Sequence, residues 1–103
     1  MSSVPQMKVI AERSLLLVES GTGQRRPVTV KLGQPYWVEE GIEAACPVFI
    51  EGMLSAPSDI HGIDLLDAVD CALRFINSYL KDSSEGSICW PSGDPYPGDD
   101  EDV

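Results

Sequence analysis

Residues 65–81, Leu65-Leu66-Asp67-Ala68-Val69-Asp70-Cys71-Ala72-Leu73-Arg74-Phe75-Ile76-Asn77-Ser78-Tyr79-Leu80-Lys81, decide the fold. Leu65, Val69, Ala72, Leu73, Ile76 and Leu80 recur at steps of three and four, which puts them on one face of a helix. Asp67, Asp70, Arg74, Asn77 and Lys81 fall on the other face. Asp64 is placed to cap the helix, because its carboxylate can accept from the free N–H groups of the first turn. Asp67 near the positive end and Lys81 near the negative end suit the helix dipole. Asp70 and Arg74 form an i,i+4 pair worth a few tenths of a kcal/mol, about 0.2–0.5. Ser83 to Gly86 ends the element.

Upstream, the period changes from 3.6 to 2. Residues 7–18 read as a strand, with Val9, Ile10 and Leu15 to Val18 as β-formers. The apolar phase changes near Glu12-Arg13-Ser14, which signals a bulge or a strand buried on both faces. Ser20 to Gln24 is a turn, and residues 26–32 alternate, with Val28, Val30 and Leu32 on one side. Together they read as a hairpin. Gly33-Gln34-Pro35 breaks the second strand, and Tyr36, Trp37 and Val38 begin another. Glu39-Glu40-Gly41 is an acidic turn. Residues 44–51 form the next strand, with Cys46, Val48 and Ile50 on one side, and Pro47 argues for an edge or a bulge. Gly52 to Gly62 reads as a loop with a short extended piece at Ile60-His61. Ser87 to Trp90 is a short β-like run that returns to the sheet.

These elements predict an α+β fold: an antiparallel sheet of three to five strands with one long helix, residues 65–81, on one face. The expected organisation is one domain over residues 1–90, opening with a loose arm at 1–6. An acidic, Pro/Gly-rich tail over 91–103 is expected to be disordered or only loosely attached.

Charge limits the functions. The chain of 103 residues carries 17 acids against 7 bases, a formal net charge of −10. Asp94, Asp99, Asp100, Glu101 and Asp102 crowd the last ten residues, and the remainder still carries an excess of five acids. Such a surface repels nucleic acid and anionic membrane and attracts a basic partner. A nucleic-acid binder needs a basic stripe, and none is present. No apolar run approaches the roughly 18 residues of a membrane span. The first six residues lack the pattern of a secretory signal, so a cytoplasmic location is expected.

The order of several short motifs resembles a family of short uncharacterised bacterial proteins. The residues that carry the likeness are Ile10-Ala11-Glu12-Arg13, Pro27-Val28-Thr29-Val30 with Gly33 and Pro35, Cys46-Pro47, Ile50-Glu51-Gly52 and His61-Gly62-Ile63-Asp64. The string then leads into Ala68 and Ala72-Leu73-Arg74-Phe75-Ile76, so the likeness covers residues 8–90. The resemblance implies a bacterial origin and a compact α+β fold, and brings no activity with it.

No catalytic motif is present. Cys46, Cys71 and Cys89 are an odd number at wide spacing, with one His in the chain, and read as reduced core residues without a metal. Asp64, Asp67 and Asp70 spread over about 9 Å of helix; they read as a solvated face, because hard cations need converging oxygens. Ser20 to Arg25 lacks phosphate-loop spacing, and Asp99 to Asp102 lacks the EF-hand pattern. Trp37, beside Glu39, Glu40 and Glu43, is an aromatic anchor in an acidic rim.

The expected function is therefore non-enzymatic: an acidic protein-binding module, of the bacterial immunity or antitoxin type, that neutralises a basic toxin or effector. The partner surface is assigned to Trp37, Glu39, Glu40, Glu43, Asp67 and Asp70, with no cofactor. One alternative is a small enzyme or ligand-binding domain using His61 and Cys46. Another is an assembly subunit, a homodimer through an exposed strand edge.

Overall fold

The computed structural model describes residues 7–83 and 86–96 and has the α+β architecture. Six strands are present among the described residues: β1 (Val9–Glu19), β2 (Arg25–Gly33), β3 (Tyr36–Glu39), β4 (Glu43–Glu51), β5 (Ser58–Gly62) and β6 (Gly86–Cys89). One helix, α1 (Leu65–Lys81), lies between β5 and β6 in the chain. All pairings are antiparallel, and the sheet curls into a half-barrel around the helix.

Across the sheet, β5 pairs with β4, β4 with both β2 and β3, β2 with β1, and β1 with β6. β2 and β3 lie end to end along the same edge of β4. Leu32 pairs with Val48 and Tyr36 with Ala45, so the first strand spends four steps while β4 spends three. The extra residue is absorbed at Gly33-Gln34-Pro35. In effect β2 and β3 are one bent strand, and six named strands make five positions across the sheet. Pro47 lies opposite this break. A proline has no N–H to give a ladder, and the carbonyl of Gly33 at the break accepts from the Cys46 thiol at 3.4 Å.

Two elements depart from the expectation. Residues 58–62 form a strand rather than a loop, because the free edge of β4 supplies partners from Ala44 to Val48. The bulge in β1 lies between Val9 and Ala11, not near residues 12–14. Arg13 stays in phase with Leu15 and Leu17 and pairs with Val30.

One face of the sheet and one stripe of the helix make the core. Leu15, Leu17, Val28, Val30, Leu32, Cys46, Val48, Ile50 and Ile88 meet Ala68, Ala72, Ile76 and Leu80. The helix packs chiefly over β4 and β5. Small residues bring its first turn close. A Cβ added to Gly62 would lie 2.5 Å from the backbone N of Ala68.

The segment after β6 begins to fold before it leaves the described residues. Tyr96 N–H donates to the carbonyl of Ile88, and the Tyr96 ring meets Trp90 edge-on at 4.9 Å. Residues 91–96 are thus docked, within a tail whose composition suggested disorder or only loose attachment from 91 onward. The acids Asp99 to Asp102 and the arm at 1–6 lie outside the described residues.

Candidate functional site

The register brings two separate parts of the chain to one end of the sheet. At the β3–β4 hairpin, Glu39 pairs with Glu43, and the Ile42 N–H donates to the Glu39 carbonyl at 2.9 Å. Gly41 supplies the positive φ of 78° that this tight turn requires. On the other edge of β4, Ala44 pairs with Gly62, and the chain then passes Ile63 into α1. Trp37, Ala44 and Gly62 form one row across three strands. Strand spacing puts Trp37 about 10 Å from Gly62, and the Asp67–Ala68 backbone sits directly on Gly62.

The first turn of α1 is pinned by its own acids. Asp64 caps the helix by accepting from the Asp67 N–H at 2.7 Å. The Asp67 carboxylate in turn accepts from the Ile63 N–H at 2.9 Å. Two backbone donors at the helix start are satisfied reciprocally, in the manner of a capping box.

The six residues assigned from sequence divide into two groups. Trp37, Glu39 and Glu40 stand exposed on the hairpin, with no ion pair among the described residues. Glu43, Asp67 and Asp70 are engaged within the protein. Glu43 Oε2 lies 2.5 Å from His61 Nδ1, Asp67 completes the helix cap, and Asp70 holds Arg74 at 3.0 Å. The negative charge remains; the freedom to reach outward belongs to the hairpin acids.

Sequence reasoning missed the apolar part of this end. Ile42, Ile63 and Leu66 are 61%, 72% and 82% exposed, and Val38 beside Trp37 is also exposed. Leu66 carried a readable signal, because it falls outside the apolar stripe of the helix. Ile63, one residue before the cap, would ordinarily fold down onto the fourth helical residue; here that residue is Ala68, which is buried and small. The local charge was equally legible. Between Lys31 and Arg74 the chain carries eight acids and no Lys or Arg.

The outer face of the sheet holds a polar group of different character. Tyr36 donates to Asp59 at 3.1 Å across the floor formed by Ala45 and Pro47. Desolvation, followed by the hydrogen bond to Asp59 and its charge, raises the Tyr36 phenol above its ordinary value. His61 and Glu43 lie in the same region.

Cys46 and His61 are not brought together. Cys46 pairs with Ile60, and His61 with Ala45, so alternation sends the two side chains to opposite faces. Cys46 is buried under the helix, whereas His61 is half exposed on the outside. Burial, reinforced by the charge of Asp59, pushes the Cys46 thiol up, which disfavours the thiolate a nucleophile needs. Cys46, Cys71 and Cys89 are all free thiols. No cluster of three or more metal-binding side chains is present among the described residues, and no helix there is long and apolar enough to cross a membrane.

No family model, curated protein or solved structure matches the chain, so the bacterial likeness drawn from its motif order gains no support from these comparisons.

Proposed function

We propose that this protein is an acidic, non-enzymatic binding module that docks on a basic protein through the end of the half-barrel where the β3–β4 hairpin meets the start of α1. The observation that carries the reading is one coincidence. Five exposed apolar side chains, Trp37, Val38, Ile42, Ile63 and Leu66, share this end with Glu39, Glu40, Glu43, Asp64 and Asp67. Apolar centres with charged rims are the usual anatomy of a protein interface. The acids set the sign of the partner and speed its approach, while the apolar groups hold it.

Glu39 facing Glu43 across the hairpin supports the same reading. Like charges directly opposite on a strand pair destabilise it. A basic partner removes that repulsion on binding. The class of function this suits is a small inhibitor of a basic toxin or effector, of the immunity or antitoxin type. Such targets are basic because their substrates are anionic, and an acidic protein competes for the same surface.

The test is binding to the basic products of the genes adjacent to its own, measured by calorimetry at two salt concentrations. The expected result is a complex that weakens about tenfold or more from ~0.05 to ~0.3 M salt, as charges beyond the Debye length are screened. Glu39→Lys with Glu40→Lys should weaken it comparably while the circular dichroism spectrum is unchanged. Binding that ignores both salt and the two charge reversals would refute the proposal.

A further inference from the structure

The helix packs chiefly over β4 and β5, and the cover thins only at the Ala11–Arg13 end of β1, where those residues are exposed. An open cleft of about 290 Å³ lies there, between α1 and the sheet. Val30 and Leu32 from β2, with Leu73 and Ile76 from α1, form its apolar part, and Arg13 and Asn77 supply polar groups. Glu12 also borders the cleft, but it pairs with Lys31 in register, so its carboxylate belongs to the opposite face of the sheet.

Arg13 is held in position. Its Nη1 donates to the Tyr96 hydroxyl at 2.7 Å, and that hydroxyl donates to Asn77 Oδ1 at 3.1 Å. The guanidinium carbon lies 5.2 Å from the centre of the Trp90 ring and 5.5 Å from that of Tyr96. The two rings fix the cation by cation–π attraction. Yet in a chain with 17 acids, Arg13 meets no carboxylate among the described residues. Only one of its five N–H donors is committed to a side-chain acceptor there. An ordered arginine beside an apolar wall, with its remaining donors open, matches a ligand with one anionic end and one greasy end.

We propose that this cleft binds a small monocarboxylate with an apolar chain, its carboxylate on Arg13 and its chain against Val30, Leu32, Leu73 and Ile76. The volume holds on the order of ten heavy atoms at about 30 Å³ each, which is the size of octanoate. A carboxylate fits the flat guanidinium fork. A phosphate monoester would bring nearly two charges to a single cation inside a strongly acidic protein, and is disfavoured. The site is separate from the hairpin end, so its test does not depend on the partner reading.

The experiment titrates the full chain with octanoate, 1-octanol and acetate, followed by Trp fluorescence and by methyl chemical shifts. Octanoate is expected to saturate below about 10 mM and to shift Val30, Leu32, Leu73 and Ile76. Acetate and octanol should each bind about tenfold more weakly or worse, since each lacks one half of the ligand. Arg13→Gln should cost octanoate about tenfold. Because that change also loosens the Tyr96 contact, Leu73→Trp serves as a second variant. It fills the cleft from the helix side, leaves Arg13 in place, and should abolish the octanoate shifts. Octanol binding as tightly as octanoate, shifts confined to the hairpin end, or no saturation below about 10 mM would each overturn the proposal.

Discussion

Gly62→Ala is the sharpest probe of how the helix is seated. The new Cβ would stand 2.5 Å from Ala68 N, 2.8 Å from Ala68 Cα and 2.8 Å from the Asp67 carbonyl carbon. All three are backbone atoms, so no side chain can swing aside. Ordinary contact begins near 3.4 Å, and the first turn of α1 must therefore retreat by roughly 0.9 Å, the difference between the two distances. Ala68 and Ala72, both fully buried, give the helix its close approach to the sheet. A gap of 0.5–1 Å forfeits about a quarter to a half of each contact. Overpacking of this kind costs about 1–3 kcal/mol, and strain on the Asp64 cap adds about 1 kcal/mol. The expected loss is about 3 kcal/mol, from a domain whose total stability is on the order of 5–15 kcal/mol. The midpoint of thermal unfolding should fall by roughly 12–24 °C. Guanidinium unfolding followed by circular dichroism measures the loss directly. A change under about 1 kcal/mol with an unaltered m-value would show that the helix is not seated on Gly62 as described.

Other consequences follow from single contacts. Asp64→Ala removes the acceptor of the Asp67 N–H and should cost about 1 kcal/mol in the same unfolding assay, with Asp64→Asn largely sparing it. Glu39→Lys replaces a like-charge pair by an opposite one and should raise stability by roughly 0.2–1 kcal/mol while weakening the proposed partner complex. With a thiol reagent at mildly alkaline pH, Cys71 and Cys89, both partly exposed, should react well before Cys46, whose modification should wait for unfolding; prompt reaction at all three would contradict the burial. The Tyr36 phenol, held neutral by its surroundings, should titrate above its ordinary value of 10.0 in ultraviolet difference spectra. Its contribution to stability is complete below that pH and is lost as pH rises through the folded value. Asp59→Asn should bring the titration back toward the ordinary range.

Much of the fold was readable because local and global preferences agree. The stripe from Leu65 to Leu80 matches the helix, and the Asp64 cap falls where the sequence puts it. The Val28, Val30, Leu32 alternation finds the core face of β2. What escaped was decided by partners distant in sequence. Ser58 to Gly62 contains one strong β-former, and it is a strand because the edge of β4 lies beside it. Residues 91–96 have the composition of a loose tail, and are docked because Trp90 and Arg13 receive Tyr96. The phase change at Arg13 looked like a bulge because a charged side chain occupies an inward position. That position tolerates charge because the helix does not cover it. At the hairpin, the acids and Trp37 were evident from sequence. The engagement of Glu43 by His61 and of Asp67 by the helix start required the three-dimensional register.

The bent strand formed by β2 and β3 has a further consequence. Every residue of β3 is exposed, and the buried interior is built almost wholly from other elements. The break at Gly33-Gln34-Pro35 thus separates a segment that fills the core from one whose side chains are all exposed. Outward side chains of residues 36–42 can therefore be replaced at less penalty to the interior than those of β2, with two exceptions: Gly41, whose positive φ the turn requires, and Tyr36, which is bound to Asp59. A scaffold of this kind can change part of its outer surface without first having to relearn how to fold.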